Sequence, residues 1–147
     1  MTVERRWFRK LDHTQAQVPK SLGTNPTGNL RLSQERFPID HQTYFFRDFF
    51  GGLSWSVALG RMEMSEVEVE FDVFVAGVPY GSQVLRVSHL PDRASGQGNI
   101  PTVLHWGNLN QLLRAANYVD WFLTLERSND GNFRLVLEPD PTGPFIK

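Results

Sequence analysis

The chain has no cysteine, only three lysines and no long run of apolar residues. The absence of cysteine excludes disulfide scaffolds, cysteine-based zinc sites and thiol nucleophiles. Its apolar runs are too short for a transmembrane helix, which needs roughly 20 residues. The composition, 40% hydrophobic and 21% charged over 147 residues, is typical of a folded domain with a hydrophobic core. We therefore predict a single domain over residues 1–147, without a membrane segment and located in the cytoplasm.

The chain also has no excess of basic residues. It contains 15 Lys plus Arg and 16 Asp plus Glu, and its net charge is −1. This balance excludes a protein that coats nucleic acid by bulk attraction. The charge is nevertheless uneven along the chain. Residues 1–36 carry 7 − 3 = +4, residues 37–80 carry 2 − 7 = −5, residues 81–115 carry 3 − 1 = +2, and residues 116–147 carry 3 − 5 = −2. Two basic segments separated by an acidic one can form a one-sided patch after folding, and the alternative is an ordinary solvated surface.

Strict alternation over residues 66–75 predicts the clearest strand. Five apolar residues share one face: Val67, Val69, Phe71, Val73 and Val75. Four acidic residues share the other: Glu66, Glu68, Glu70 and Asp72. A turn over residues 76–79 leads into a second strand over 80–88. We expect the acidic row to be solvent-facing, since it lacks the second set of ligands that a metal site requires.

Further strands are predicted over residues 6–11, 30–32, 119–127 and 132–138, the last two joined by a turn that contains Asp-Gly. Two short helices are predicted, one over 41–50 and one within 103–118, beginning near Trp106. The first has Asp40 as its N-cap and places four aromatic residues in the core: Tyr44, Phe45, Phe49 and Phe50. Six or seven strands with two short helices and no β-α-β alternation predict a mainly β (α+β) domain built as a β-pseudobarrel.

Catalytic motifs are not visible in the sequence. The four histidines are isolated from one another, at His13, His41, His89 and His105, and no Gly-x-Ser-x-Gly pentapeptide occurs. We therefore expect no catalytic residue, metal or cofactor. A small hydrolase that uses histidines brought together by folding remains an alternative.

Two long polar segments, residues 12–29 and 88–101, lie in the basic parts of the chain. Their Arg, Asn, Gln and Asp side chains are the kinds that hydrogen-bond to base edges, and their glycines allow close approach to a phosphate backbone. The alternative is that both segments are surface loops without a partner.

Four short motifs carry a resemblance to a known family: Arg9-Lys10-Leu11, Thr27-Gly28-Asn29-Leu30, Leu85-Arg86-Val87-Ser88-His89 and His105-Trp106-Gly107. With the polar segments between them, they resemble the N-terminal recognition domain of the restriction endonuclease EcoRII. The C-terminal domain of BfiI and the plant B-three transcription factors share that pseudobarrel. The resemblance implies two arms, residues 12–29 and 88–101, that enter the major groove of duplex DNA from the two ends of the barrel.

By position, the resemblance implies base or groove contacts at Asn25, Thr27, His89, Arg93, Gln97 and Asn99. Charge alone makes four residues candidates for phosphate contacts: Arg9, Lys10, Lys20 and Arg31. Asp12, Asn29 and Ser95 complete the predicted DNA-binding set. The second arm departs from the family pattern because Arg93 is its only cation and stands beside Asp92, which leaves open the base that each residue contacts.

The leading hypothesis is a sequence-specific double-stranded DNA recognition domain of a restriction-modification system. Its nuclease site would lie in another domain or subunit. In this hypothesis the acidic row over residues 66–72 faces away from DNA, because carboxylates repel phosphates. The alternative from another class is a protein–protein interaction module in which the polar arms clasp a polypeptide.

Overall fold

A computed structural model describes residues 2–12, 16–17, 28–32, 37–40, 42–58, 60–91 and 101–147. Within these ranges the chain forms eight β-strands and two short helices, which confirms the predicted mainly β class and both helices. The strands are β1 (Val3–Lys10), β2 (Asn29–Arg31), β3 (Ser56–Ala58), β4 (Arg61–Val75), β5 (Val78–His89), β6 (Thr102–His105), β7 (Phe122–Ser128) and β8 (Phe133–Glu138). A π-helix spans Tyr44–Phe49, and an α-helix, α1, spans Leu109–Ala115.

The strands of the described chain form one sheet in the order β1-β7-β8-β4-β5-β6-β2, with β3 paired to β4. The β4–β8 pair is parallel and runs from Phe71 opposite Phe133 to Val75 opposite Leu137. The β1–β7, β7–β8, β5–β6 and β2–β6 pairs are antiparallel. Parallel strands need a long connection, so this pair joins segments that are far apart in sequence.

The described chain has eight strands where six or seven were predicted, and its second helix is shorter than predicted. The helix predicted within residues 103–118 is only Leu109–Ala115, because the preceding segment, Thr102–His105, is strand β6. Pairing with β5 on one side and β2 on the other supplies the backbone hydrogen bonds of this short apolar segment. The short strand β3 was not predicted at all.

The helix predicted over 41–50 is present but shorter, since it begins at Tyr44. Asp40 accepts a hydrogen bond from the backbone N–H of Gln42 through Oδ1 at 2.9 Å, while its carbonyl accepts from Tyr44 at 2.8 Å. The N-cap is Thr43, so the prediction of Asp40 as N-cap was wrong. Asp40 instead stabilises the turn that leads into the helix, as side chains of this type commonly do.

Spatial proximity divides the chain into two compact units. The first contains Met1–Gly28, Glu70–Val84 and Trp106–Lys147, and the second contains Asn29–Val69 and Leu85–His105. Strands β4 and β5 contribute residues to both.

The first unit is built on β1, β7 and β8. Its buried residues include Trp7, Phe71, Leu123, Leu125 and Leu135. The predicted turn between β7 and β8 is present, and Gly131 occupies it with φ of +84°, a conformation that glycine adopts without steric cost.

The second unit has an aromatic core supplied by the π-helix. Tyr44, Phe45, Phe49 and Phe50 are all buried, as predicted. Phe46 packs beside them against Trp55, with ring centroids 4.7 Å apart. Aromatic side chains bury large areas, so this short helix supplies much of the apolar surface of the unit.

The alternation of β4 is confirmed. Its five apolar residues from Val67 to Val75 are buried, while Glu68, Glu70 and Asp72 are exposed and Glu66 is half-buried. The turn into β5 has positive φ at both Ala76 and Gly77, the pattern of a two-residue type I′ hairpin.

Candidate nucleic-acid interface

Strands β5, β6 and β2 lie side by side in the second unit, and their register defines two faces. Ser88 of β5 lies opposite Val103 of β6, and Asn29 of β2 lies opposite His105 of β6. Directly opposed residues of antiparallel strands share a face, and successive residues alternate between faces.

One face of these strands is part of the core. It carries Leu30, Val87, His89, Thr102 and Leu104, all of them buried. The opposite face is mainly polar. We call it the polar face and define it as Asn29, Arg31, Arg86, Ser88 and His105, with buried Val103 lying between Arg31 and Ser88.

Exposure differs among the residues of the polar face. Arg31 is exposed, the side chain of Arg86 is 51% exposed, and Asn29 and His105 are half-buried. Ser88 is buried beneath His105. The groups that solvent or a ligand can reach are therefore two guanidinium groups, an amide and an imidazole.

A chain of hydrogen bonds crosses strands β4, β5 and β6. Arg86 donates from Nη1 to Oε2 of Glu66 at 3.2 Å and from Nη2 to Nδ1 of His105 at 3.3 Å. Because a guanidinium group only donates, Nδ1 of His105 accepts, and the neutral ring carries its proton on Nε2. That nitrogen lies 2.9 Å from Oγ of Ser88 and donates to it.

The Ser88–His105 contact is not arranged as a nucleophile and its base. In a Ser-His-acid triad the histidine accepts the serine proton through Nε2, while a carboxylate receives the proton on Nδ1. Here Nδ1 accepts from the Arg86 cation and Nε2 donates, so both ring nitrogens have the reverse of the roles that they have in a triad. The pair therefore does not support the hydrolase alternative.

The predicted arms meet the described strands at opposite ends of β6. The first arm leads into β2, where Asn29 lies opposite His105 at the last residue of β6. The second arm follows β5, where His89 lies opposite Thr102 at the first residue of β6. Just beyond the paired residues of β5 and β6, the backbone N–H of Leu90 donates a 2.9 Å hydrogen bond to the carbonyl of Pro101. At about 3.3 Å per residue, the two attachment points are roughly 10 Å apart along the strand.

Most of the predicted arm residues lie outside the described residues. These are Lys20, Asn25, Thr27, Arg93, Ser95, Gln97 and Asn99. Of the predicted residues that the structure describes, Asn29 and Arg31 lie together on the polar face.

Three other predicted residues lie at or just after the end of β1, in the first unit. Lys10 and Asp12 are exposed, whereas Arg9 is half-buried on the same side of the strand as Trp7. Lys10 is therefore the more accessible cation of the two.

His89 has a different setting from the one expected of a DNA contact. It is 4% exposed, its ring stacks on Phe46 at 4.5 Å with 14° between the planes, and its Nδ1 hydrogen-bonds to Oγ1 of Thr102 at 2.8 Å. A side chain enclosed in this way does not reach a base edge, so we omit His89 from the candidate contacts.

Sequence reasoning did not include Arg86 or His105 among the DNA contacts. The alternation over residues 85–89 predicts that Arg86 points away from the core, because its neighbours Leu85 and Val87 are apolar and buried. The contact between Arg86 and His105 had no such signal, since they belong to strands joined by a long connection.

A groove of about 500 Å³ adjoins the Glu66 end of this hydrogen-bonded chain. Its lining includes Ser54, Ser56, Glu66, Glu68 and Arg86. Two carboxylates and one guanidinium give this part of the second unit an acidic edge beside Arg86.

Within the described ranges, no group of three or more His, Asp or Glu residues is placed to hold a metal ion. No helix in this part of the chain is long and apolar enough to cross a membrane. No protein-family model, curated protein sequence or solved structure matches the chain. The resemblance to restriction-endonuclease recognition domains therefore depends on the short sequence motifs alone.

Proposed function

We propose that this chain recognises a specific sequence of double-stranded DNA through the polar face and the two arms. The observation that carries the proposal is the position of the polar face on β2, β5 and β6, with the arm segments attached at opposite ends of β6. The polar face therefore lies between the two points at which the arms are attached.

The chemistry of the polar face suits such a ligand. Exposed guanidinium groups bind phosphate oxygens or the acceptors of guanine, and an amide such as that of Asn29 pairs with adenine. Arg31 is the residue that we assign to phosphate, because it is exposed and lies on the side of β6 away from acidic strand β4.

Acidic side chains on β4 restrict where the duplex lies. Glu68 is exposed and Glu66 is bonded to Arg86, so phosphates placed over β4 would meet carboxylates. We therefore place the duplex over β6 and β2, with Arg86 of β5 at its edge. Glu66 and Glu68 line the same groove as Arg86 and so lie on the same side of the sheet as the polar face, whereas the sequence led us to expect the acidic row on the side away from DNA.

The nuclease part of the proposal follows from the resemblance. The chain would serve as the target-recognition domain of a restriction endonuclease in the cytoplasm. Cleavage would be carried out by another domain or by a separate subunit.

Selection of duplexes from a random library at moderate salt tests the proposal. We expect an enriched motif, together with an affinity that falls steeply with salt through counterion release, with a log–log slope of about −0.9 for each phosphate neutralised. Arg31→Ala should weaken binding, and Arg114→Ala, which removes an exposed arginine from α1, is the matched control.

Absence of any enriched motif would contradict sequence-specific recognition. Salt-insensitive capture of a polypeptide would instead support the protein–protein interaction module.

A further inference from the structure

We infer that Arg86 reads a guanine of the DNA target, and that Glu66 and His105 are positioning residues that hold its guanidinium group for this contact. The inference rests on the proposed function and names a specificity-determining residue within it. Neither Arg86 nor Glu66 was among the residues predicted to contact DNA.

The guanidinium group of Arg86 is held on two sides, by Glu66 at 3.2 Å and by His105 at 3.3 Å, while about half of the side chain stays exposed. An arginine that is already ordered loses less side-chain entropy when it binds, and a supporting shell gives a contact its precision. A solvated arginine without such partners has neither advantage.

The guanidinium group of Arg86 keeps hydrogen-bond donors for a ligand. It has five N–H donors, and the contacts within the described part of the chain use two of them, which leaves three. Guanine presents two acceptors in the major groove, O6 and N7, and a bidentate contact from arginine is the commonest specific contact to it.

The charges around Arg86 favour a base over a phosphate. Glu66 offsets the positive charge of Arg86, and Glu68 lines the same groove. A phosphate beside Arg86 would therefore be repelled by two carboxylates, whereas the neutral edge of a base is not. This separates Arg86 from Arg31, which we assign to phosphate.

The ring of His105 is oriented from both ends, because its Nδ1 accepts from Arg86 and its Nε2 donates to Ser88. Arg86 is consequently supported by a side chain that is itself ordered, with buried Ser88 beneath it.

The experiment begins with the duplex that the wild-type protein selects from a random library. Binding of this duplex, and of every single-base-pair variant of it, is measured for wild type, Arg86→Lys, Glu66→Gln and Arg114→Ala. We expect Arg86→Lys to reduce the preference for one G·C pair over its substitutions by about 5- to 150-fold. Its preferences at the other positions should change little. Glu66→Gln should reduce discrimination at the same base pair without lowering the affinity for unrelated duplexes. Arg114→Ala should change neither the discrimination nor the affinity.

A base analogue supplies a second readout. Replacement of the affected guanine by 7-deazaguanine, which lacks the N7 acceptor, should weaken binding of the wild type. It should weaken the Arg86→Lys protein less than the wild type, because a lysine lacks the planar fork of donors that matches O6 and N7 together.

Several outcomes would overturn the inference. Uniform weakening of all duplexes by Arg86→Lys would make Arg86 a phosphate contact, and unchanged preference at every position would remove it from the interface. Failure of Arg86→Lys to fold, seen by thermal melting, would make it a structural residue. In each of these cases a motif selected by the wild type would still uphold DNA recognition, whereas failure of the wild type to select any motif would reject the proposed function itself.

Discussion

Glu126 is almost fully buried, with 2% of its side chain exposed, and accepts a hydrogen bond from Nε of Arg6 at 2.7 Å. Its other oxygen lies 3.5 Å from Nη1 of Arg134. Arg6 also donates to the carbonyl of Pro144 at 3.2 Å, and its backbone exchanges hydrogen bonds with Ile146. One carboxylate thus supports two cations of the first unit, and one of them is bonded to the last residues of the chain.

Removal of this carboxylate should be strongly destabilising. We expect Glu126→Ala to lower the free energy of unfolding by about 3–5 kcal/mol, because Arg6 is left mostly buried without a counter-charge. Urea denaturation measures the loss. The control is Glu4→Ala, whose carboxylate pairs with Arg127 at 3.4 Å but is 43% exposed. It should cost no more than about 1 kcal/mol, and equal losses in the two variants would contradict the importance of burial.

His89 should contribute to the stability of the fold rather than to DNA binding. We expect His89→Ala to lower the free energy of unfolding by about 1–3 kcal/mol, because Thr102 is left buried without its hydrogen-bond partner. The base preference of the folded variant should be unchanged. Thr102→Val removes the other half of the same hydrogen bond and should also destabilise. A His89→Ala protein of normal stability with an altered base preference would restore the earlier prediction of a DNA contact.

Arg31 should contribute affinity without sequence information. We expect Arg31→Ala to weaken binding to all duplexes by a similar factor and to reduce the salt slope by about 1. Fluorescence anisotropy over a range of salt concentrations measures both quantities. Loss of discrimination at a single base pair would show that Arg31 contacts a base instead.

Asp130 should make the turn between β7 and β8 sensitive to acid. The hydrogen bond from Ser128 Oγ lowers the pKa of the Asp130 carboxyl below its ordinary value, and the backbone N–H of Asn132 acts in the same direction. A group whose pKa is lowered by folding stabilises the protein above its unfolded pKa, and that contribution is lost as the pH falls through the folded pKa.

The difference in stability between wild type and Asp130→Ala should therefore be constant near neutral pH and shrink below about pH 4. In Ser128→Ala, an NMR titration should show the pKa of Asp130 rising toward its ordinary value. An unchanged pKa of Asp130 in that variant would show that the Ser128 hydroxyl is not the main cause of its lowered value.

Several parts of the fold follow from local sequence. The period of two in β4 predicts both its buried and its acidic face, because neighbouring side chains on a strand point to opposite sides. The Asp130-Gly131 turn and the buried aromatic residues of the π-helix are equally local, since they depend on a few adjacent residues. The same period of two also places His89 on the buried side of β5, with Leu85 and Val87, although the resemblance assigns it to an arm.

The sequence determines which residues of each strand share a face, because that depends only on backbone geometry and neighbouring residues. It does not determine which strands become neighbours. The parallel pairing of β4 with β8 and the position of β6 between β5 and β2 join distant segments, and many pairings satisfy the same local pattern. Only the tertiary structure therefore brought Arg86 to Glu66 and His105, and so made a polar face from residues that are unremarkable one by one.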